Sequence, residues 1–299
     1  MYILLIILCF LPWVTPPVAL FLGLIFALSF GRTFPNFNKK MSKYLLQASV
    51  VGLGFGMNLH QAIASGKDGM TFTIVSVIGT LVLGLYLGKK LLVDRKTSYL
   101  ISTGTAICGG SAIAAVGPVI KADDGQMSVS LGTIFVLNAI GLFIFPMLGH
   151  FFELTQHQFG LWSAISIHDT SSVVGAASAY GEEALKVATT VKLTRALWII
   201  PLTLVTSFLF KNQSGKISIP WFILFFILAM LLNTFFEIPQ AVSGTLVSFA
   251  KKGLTLSLFF IGASLTMSVL RSVGLRPMIQ AIIIWITISI GSLMYILLV

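Results

Sequence analysis

Apolar runs close to the length of a bilayer crossing, about 20 residues, succeed one another along this chain from residue 2 to residue 299. One soluble core cannot cover so many apolar faces, so the pattern dictates an all-α polytopic membrane protein. The composition agrees: 57% of the residues are hydrophobic and 9% charged, against about 25% charged in a soluble domain. A transmembrane barrel would need alternating strands with a polar lumen face, and the runs do not alternate. About ten or eleven segments of crossing length are read, at 2–13 (short), 17–31, 43–60, 71–88, 99–119, 127–149, 160–180, 187–210, 219–236, 253–270 and 277–299. Trp13, Trp162, Trp198, Trp221 and Trp285 fall mostly near segment ends, where indole rings prefer to sit. The opening "MYILLIILCFLPWV" lacks a basic start and a small-residue cleavage site, so it does not read as a cleavable signal. Cys9 and Cys108 lie in apolar surroundings, which argues against a disulfide framework.

The net charge of +10 sits mostly in short loops, as the positive-inside rule expects, and is not a nucleic-acid signature. Arg32, Lys39, Lys40 and Lys43 occupy one loop, and Lys89, Lys90, Arg95 and Lys96 another. Lys211 and Lys216 precede the segment at 219, and Arg271 and Arg276 lie between the last two segments. All of these are expected in the cytoplasm. An internal repeat accompanies the charges. "PVALFLGLIFALSFGRTFP" (17–35) resembles "PWFILFFILAMLLNTFFEIP" (220–239), "GMNL" (56–59) matches "GASL" (262–265), and "GMTFTIVSVIGTLVLGLYLG" (69–88) parallels "PMIQAIIIWITISIGSLMYI" (277–296). The first triple then starts outside and ends inside, and the second does the reverse. This is an inverted repeat of the kind found in secondary transporters. Lys251 and Lys252 would lie outside, against the rule.

Between the triples, "YLISTGTAICGGSAIAAVGPV" (99–119) and "GLWSAISIHDTSSVVGAASAY" (160–180) are rich in Gly, Ala, Ser and Thr. Gly109-Gly110 would weaken a continuous helix, and hydroxyls can satisfy the backbone groups that a break frees. Two broken helices or re-entrant hairpins are expected. If both are hairpins, the loop 150–158, which has no Lys or Arg, falls outside; if both cross fully, it falls inside. The charge favours hairpins. The chain thus divides into N-terminal scaffold helices (1–98), a transport core (99–210) and C-terminal scaffold helices (211–299) that form an inverted copy of 17–91.

Lys192 and Arg195 interrupt an apolar segment, with Arg195 about eight residues in, or roughly 12 Å at 1.5 Å per residue. A cation near mid-bilayer costs at least about 2.5–3.5 kcal/mol on insertion scales. Their spacing puts both on one helix face. Snorkelling is the plain alternative, and a structural pair with Asp169 is a second. His168-Asp169 is the natural partner: Asp169 can neutralise Arg195, bind a cation or carry a proton, and a histidine is the side chain able to titrate near physiological pH. A buried His that only makes hydrogen bonds is the alternative reading. "TGTAICGGSA" (103–112) offers Thr103, Thr105, Cys108, Gly109, Gly110 and Ser111, whose hydroxyls, thiol and backbone amides suit an anion at a half-helix start. Close helix packing would equally explain small residues there. Ser171, Ser172 and Asn138 are further candidates for substrate contact, and Asn233 a weaker one. Asp123-Asp124 read as a loop cap. Cys108 has no metal-ligand neighbours, and no nucleotide, hydrolase or metalloprotease motif is evident, so neither an enzyme nor a bound cofactor or metal is expected.

"CGGSAIAA", "FGLWSAISIHD", "VKLTRALWIIP", "IPWF" and "GLRP" run in this order along the chain. In them the sequence resembles the YeiH family of bacterial inner-membrane proteins, often labelled sulfate exporters, over nearly its whole length. Many of that family carry Glu after the His, where this chain has Asp169; the shorter acid keeps the charge and changes its reach. The resemblance implies kinship with transporters of the sodium/proton-antiporter and bile-acid type, in which crossed broken helices form a core that moves against a scaffold. The expected activity is secondary transport, as an exporter, of a small anion such as an inorganic oxyanion, with the terminal triples as a scaffold able to form a homodimer. Lys192, Arg195 and the hydroxyls and amides of the two broken elements would attract the anion. His168 and Asp169 would bind H+ or Na+ as the coupling ion. The other reading is a cation/proton antiporter using Asp169 as its ion site.

Overall fold

The computed structural model describes residues 2–11, 13–31, 33–210, 221–236, 238–264 and 274–298, with the side chains of 61–72, 124 and 221 left out. Arg32, Lys211, Lys216, Arg271 and the repeat positions Pro220, Glu237 and Leu265 lie outside the described residues, as do parts of the segments at 219 and 253.

The helices in chain order are α1 (Tyr2–Leu8), α2 (Pro16–Phe30), α3 (Pro35–Gly54), α4 (Leu59–Lys90), α5 (Arg95–Ala106), α6 (Gly110–Val119) and α7 (Asp124–Phe151). They continue with α8 (Gln156–Ser166), α9 (Thr170–Tyr180), α10 (Glu182–Ala196), α11 (Ile199–Leu209), α12 (Trp221–Phe235), α13 (Gln240–Gly262) and α14 (Leu275–Leu298). Among the described residues, Thr73–Lys90, Gly125–Phe151, Glu182–Leu209, Gln240–Gly262 and Leu275–Leu298 are long and apolar enough to cross a membrane, and Pro16–Phe30, Gly110–Val119 and Phe222–Phe235 are shorter apolar helices. Phe21, Ile25 and Leu28 of α2, Val75, Ile78 and Val82 of α4, and Ile286, Ile290 and Met294 of α14 are exposed, at the spacing by which a helix turns one face to lipid.

The two triples interlock by exchanging partners. The first helix of each packs on the second helix of the other, α2 on α13 and α12 on α3, while α3 and α13 lie against one another. Where α2 crosses α13 the backbones nearly touch: a Cβ on Gly23 would lie 2.2 Å from the Phe259 carbonyl oxygen, and one on Gly262 2.2 Å from that of Leu20. Small residues allow this approach in lipid, where dispersion rather than the hydrophobic effect joins helices. Asn233 donates to the Met57 carbonyl at 3.2 Å, which ties α12 to the end of α3.

Both small-residue segments are broken, and both are hairpins. Lys96 at the start of α5 donates to the Lys121 carbonyl just after α6 at 2.7 Å, and Asp94 accepts from Gln126 at 2.9 Å. The legs of this first hairpin therefore begin and end together. In the second, the Tyr180 hydroxyl at the end of α9 donates to the Leu154 carbonyl before α8 at 2.5 Å, and the Phe159 and Tyr180 rings stack at 3.8 Å. Between the two runs α7, 28 residues or about 42 Å at 1.5 Å per residue. Asp123 starts it with a capping box that engages Gln126. The hairpins thus enter from opposite faces: the first from the face of Lys89, Lys90, Arg95, Lys96 and Lys121, the second from the face of Glu153, Glu182 and Glu183.

Some boundaries and placements differ from the expectations. The segment placed at 187–210 begins at Glu182, because the two acids form the helix's first turn, where the dipole favours them, rather than ending a loop. It also breaks at Leu197–Trp198, where i→i−3 bonds replace the α pattern ahead of Pro201, which has no N–H to give. The indoles of Trp162 and Trp285 bond to neighbouring helices. Trp162 is buried and donates to the Ser289 carbonyl at 2.9 Å, and Trp285 donates to Ser166 at 3.0 Å. Their indole N–H groups thus tie α8 and α14 together inside the protein.

Candidate functional site

The hairpin tips meet at Ile107–Gly109 and Ile167–Asp169. Gly109 adopts φ 61 with ψ −123, a region open to glycine and strained for other residues. This turn starts α6 with no side-chain cap. It also presses the tips together, since a Cβ on Gly109 would lie 3.4 Å from both Cα and Cβ of Asp169. On the facing side Asp169 is the N-cap of α9 and accepts from the Ser171 amide at 3.2 Å and from the Ser171 hydroxyl.

Helix α10 delivers the cations. Its N-terminus lies beside that of α8, where Gln156 accepts from the Glu183 amide at 3.0 Å, and it runs alongside α8 toward the tip. Lys192 and Arg195 are fully buried. The Lys192 ammonium donates to the Ile167 carbonyl at 2.7 Å and to that of Ala164 at 3.3 Å. The Arg195 guanidinium donates through Nε and Nη2 to the Ala106 carbonyl at 2.8 and 2.6 Å, and through Nη1 to Ile165 at 2.8 Å. These acceptors are carbonyls at the ends of α5 and α8, which an interrupted helix leaves unpaired at the negative end of its dipole. The cations answer the breaks, and the guanidinium ties one hairpin to the other. The Arg195–Asp169 ion pair, one of the alternatives for these cations, is not formed among the described residues. Among the described residues, the ion pair that does form is Lys251–Glu182 at 2.7 Å, which places a counter-charge beside the lysine that defies the charge rule.

The remaining candidates divide. Asn138 on α7 accepts from the Asp169 amide at 3.2 Å. Among the described residues its Nδ2 has no partner, nor does the buried Thr105 hydroxyl or either ring nitrogen of buried His168. The His168 ring lies 6.2 Å from that of Trp285. Cys108 and Ser172 are buried, Gly110 is half-buried, and Ser111 is exposed on α6. Thr103 turns away and bonds the Leu100 carbonyl of its own helix at 3.0 Å. Two residues at the core had not been singled out for it. Trp285 faces His168. Gln280, fully buried, donates to the Gly84 carbonyl and the Ser98 hydroxyl at 2.9 Å each, which fastens α14 to α4 and α5. A lone amide within "PMIQAIIIW" was the available signal.

Residues 11–290 match the family described as conserved hypothetical protein 698. The chain is 66% identical over 287 residues to a UPF0324 membrane protein of Bacteroides thetaiotaomicron, covering 95% of this chain and 87% of that one. It is 63% identical over 295 residues to one from Porphyromonas gingivalis (97% and 89%) and 50% identical over 293 residues to one from Photobacterium profundum (98% and 90%). The chain belongs to the UPF0324 membrane protein family. This family includes YeiH, so the resemblance read from the motifs holds. No solved structure matches this UPF0324 protein.

Proposed function

We propose that this UPF0324 protein is a secondary active transporter of a small anion, such as an inorganic oxyanion, in the bacterial inner membrane. Coupling is to H+ or Na+ at His168 and Asp169. The core at 99–210 moves against the scaffold at 1–98 and 211–299, with the Lys- and Arg-rich face in the cytoplasm and loop 150–158 outside. The observation that carries the reading is the charge at the crossing. Lys192 and Arg195 are buried there, and among the described residues neither has a carboxylate within ion-pair distance. Two half-helix N-termini of about +0.5 and two C-termini of about −0.5 cancel. The cations and an ionised Asp169 then leave an excess of about one positive charge. An uncompensated buried charge is costly, and an anion removes that cost. Purified protein in liposomes tests this: uptake driven by an anion gradient, with current of the matching sign, is expected.

The half-buried carboxylate of Asp169 favours a second reading, a cation/proton antiporter. Proton movement driven by a sodium gradient alone, indifferent to the anion, would establish it and reject the first.

A further inference from the structure

The two cations spend their hydrogen bonds on backbone carbonyls, which raises the question of what touches the cargo. Around the hairpin tips, four buried polar atoms have no hydrogen-bond partner among the described residues: Thr105 Oγ1, Asn138 Nδ2 and both nitrogens of His168. They belong together. The peptide joining His168 to Asp169 donates to Asn138. Ile101, one turn before Thr105, packs with Leu137, next to Asn138, and with Ala281, one turn before Trp285, whose ring faces His168. Arg195 binds the carbonyls of Ala106 and Ile165, which holds the end of α5 against the second hairpin.

Buried polar groups in native proteins are almost always paired, and exceptions call for a function or a ligand. We infer that Thr105, Asn138 and His168 form the contact surface for the transported anion, which gives His168 to the cargo and leaves the coupling ion to Asp169 alone, with Lys192 and Arg195 setting the potential from behind the hairpin carbonyls. The inference rests on the transport reading above. The chemistry selects the ligand. A carboxamide NH2, a hydroxyl and a neutral imidazole offer four N–H or O–H donors between them and carry no formal charge. Two cations nearby make the site positive, so it takes a small ligand rich in acceptor oxygens, an inorganic oxyanion or a short carboxylate. Neutral donors let such a cargo leave again, as a transporter requires; direct bidentate contact with Arg195 would hold it.

The test is thermal unfolding of the detergent-purified protein titrated with chloride, nitrate, sulfate and acetate, each as its sodium and its choline salt. One of the oxygen-bearing anions is expected to raise the midpoint with either cation. Asn138→Asp keeps the shape but adds a like charge, so the concentration needed should rise at least about tenfold. His168→Gln should also weaken the response. Where Asn138→Asp yields no monodisperse protein, Thr105→Val, which removes one donor, carries the same test. Wild-type anion response in these variants would overturn the contact surface and leave anion transport standing. A sodium-dependent shift that Asn138→Asp strengthens would overturn it in favour of a cation site. No response of the wild-type protein to any of the anions would overturn the transport reading and this inference with it.

Discussion

The two hairpins solve half of their problem in the same way and half differently. In both, the inbound leg ends with carbonyls that no helix satisfies, and in both α10 supplies the donors: Arg195 for α5 and α8, Lys192 for α8. The outbound legs diverge. Helix α9 starts on a carboxylate that caps its own first turn through Ser171. Helix α6 starts on Gly109, with no side chain over its amides. One tip therefore carries a group that can change charge, and the other exposes backbone at Gly110 and a hydroxyl at Ser111. The shared half is structural; the unlike half is a capping carboxylate at one tip and uncapped backbone at the other.

Removing the shared device should have the largest effect. Arg195→Ala leaves the Ala106 and Ile165 carbonyls buried and unpaired, at about 1–3 kcal/mol each, so roughly 2–6 kcal/mol of stability should be lost along with transport. Arg195→Lys keeps the charge but lacks the planar fork that spans both carbonyls, and should fall between. Thermal unfolding of the purified variants reads this. Full stability in Arg195→Ala would show that the hairpins hold each other without the guanidinium.

Next in size is the first tip alone. Gly109→Ala imposes a side chain on a backbone that only glycine adopts freely, at about 1–3 kcal/mol, and brings a methyl to 3.2 Å from Ile134. The second tip has no such position, since Ile167 and Asp169 are already extended. A Gly109→Ala protein as stable as wild type would mean that the first tip rearranges at little cost.

Much of this contrast was legible in the residues. Gly109-Gly110 marked the first break, the Gly-, Ala-, Ser- and Thr-rich run 160–180 the second, and the depth of Lys192 and Arg195 marked α10 as unusual. The triples at the two ends were visible because proline and glycine punctuate them alike. The partners of the cations were not visible. Every residue has a carbonyl, so nothing in the letters of Ala106, Ala164, Ile165 and Ile167 shows that their oxygens are free. Only the position of a helix end does, and helix ends are what sequence places least well. An acid in the preceding apolar segment looked like the natural partner for Arg195, yet Asp169 is occupied as a helix cap. Trp162 and Trp285 show the same limit: an indole near a segment end suits headgroups, but it suits a neighbouring carbonyl equally well.

The smallest effect on stability should come from Asp169, the residue proposed to carry the coupling ion. As an N-cap, Asn is about as good as Asp, and the amide oxygen of Asp169→Asn can accept from Ser171 as the carboxylate does. The unfolding free energy should change by no more than a few tenths of a kcal/mol, so the unfolding midpoint should barely move. What changes is that the second tip can no longer gain or lose a charge. If Asp169 carries the coupling proton, the variant should still exchange anion for anion across a liposome membrane, but a pH gradient should no longer drive net uptake. Loss of exchange as well would make the carboxylate part of the anion path. Retained pH-driven uptake would move the proton to another group and leave Asp169 as a cap and nothing more.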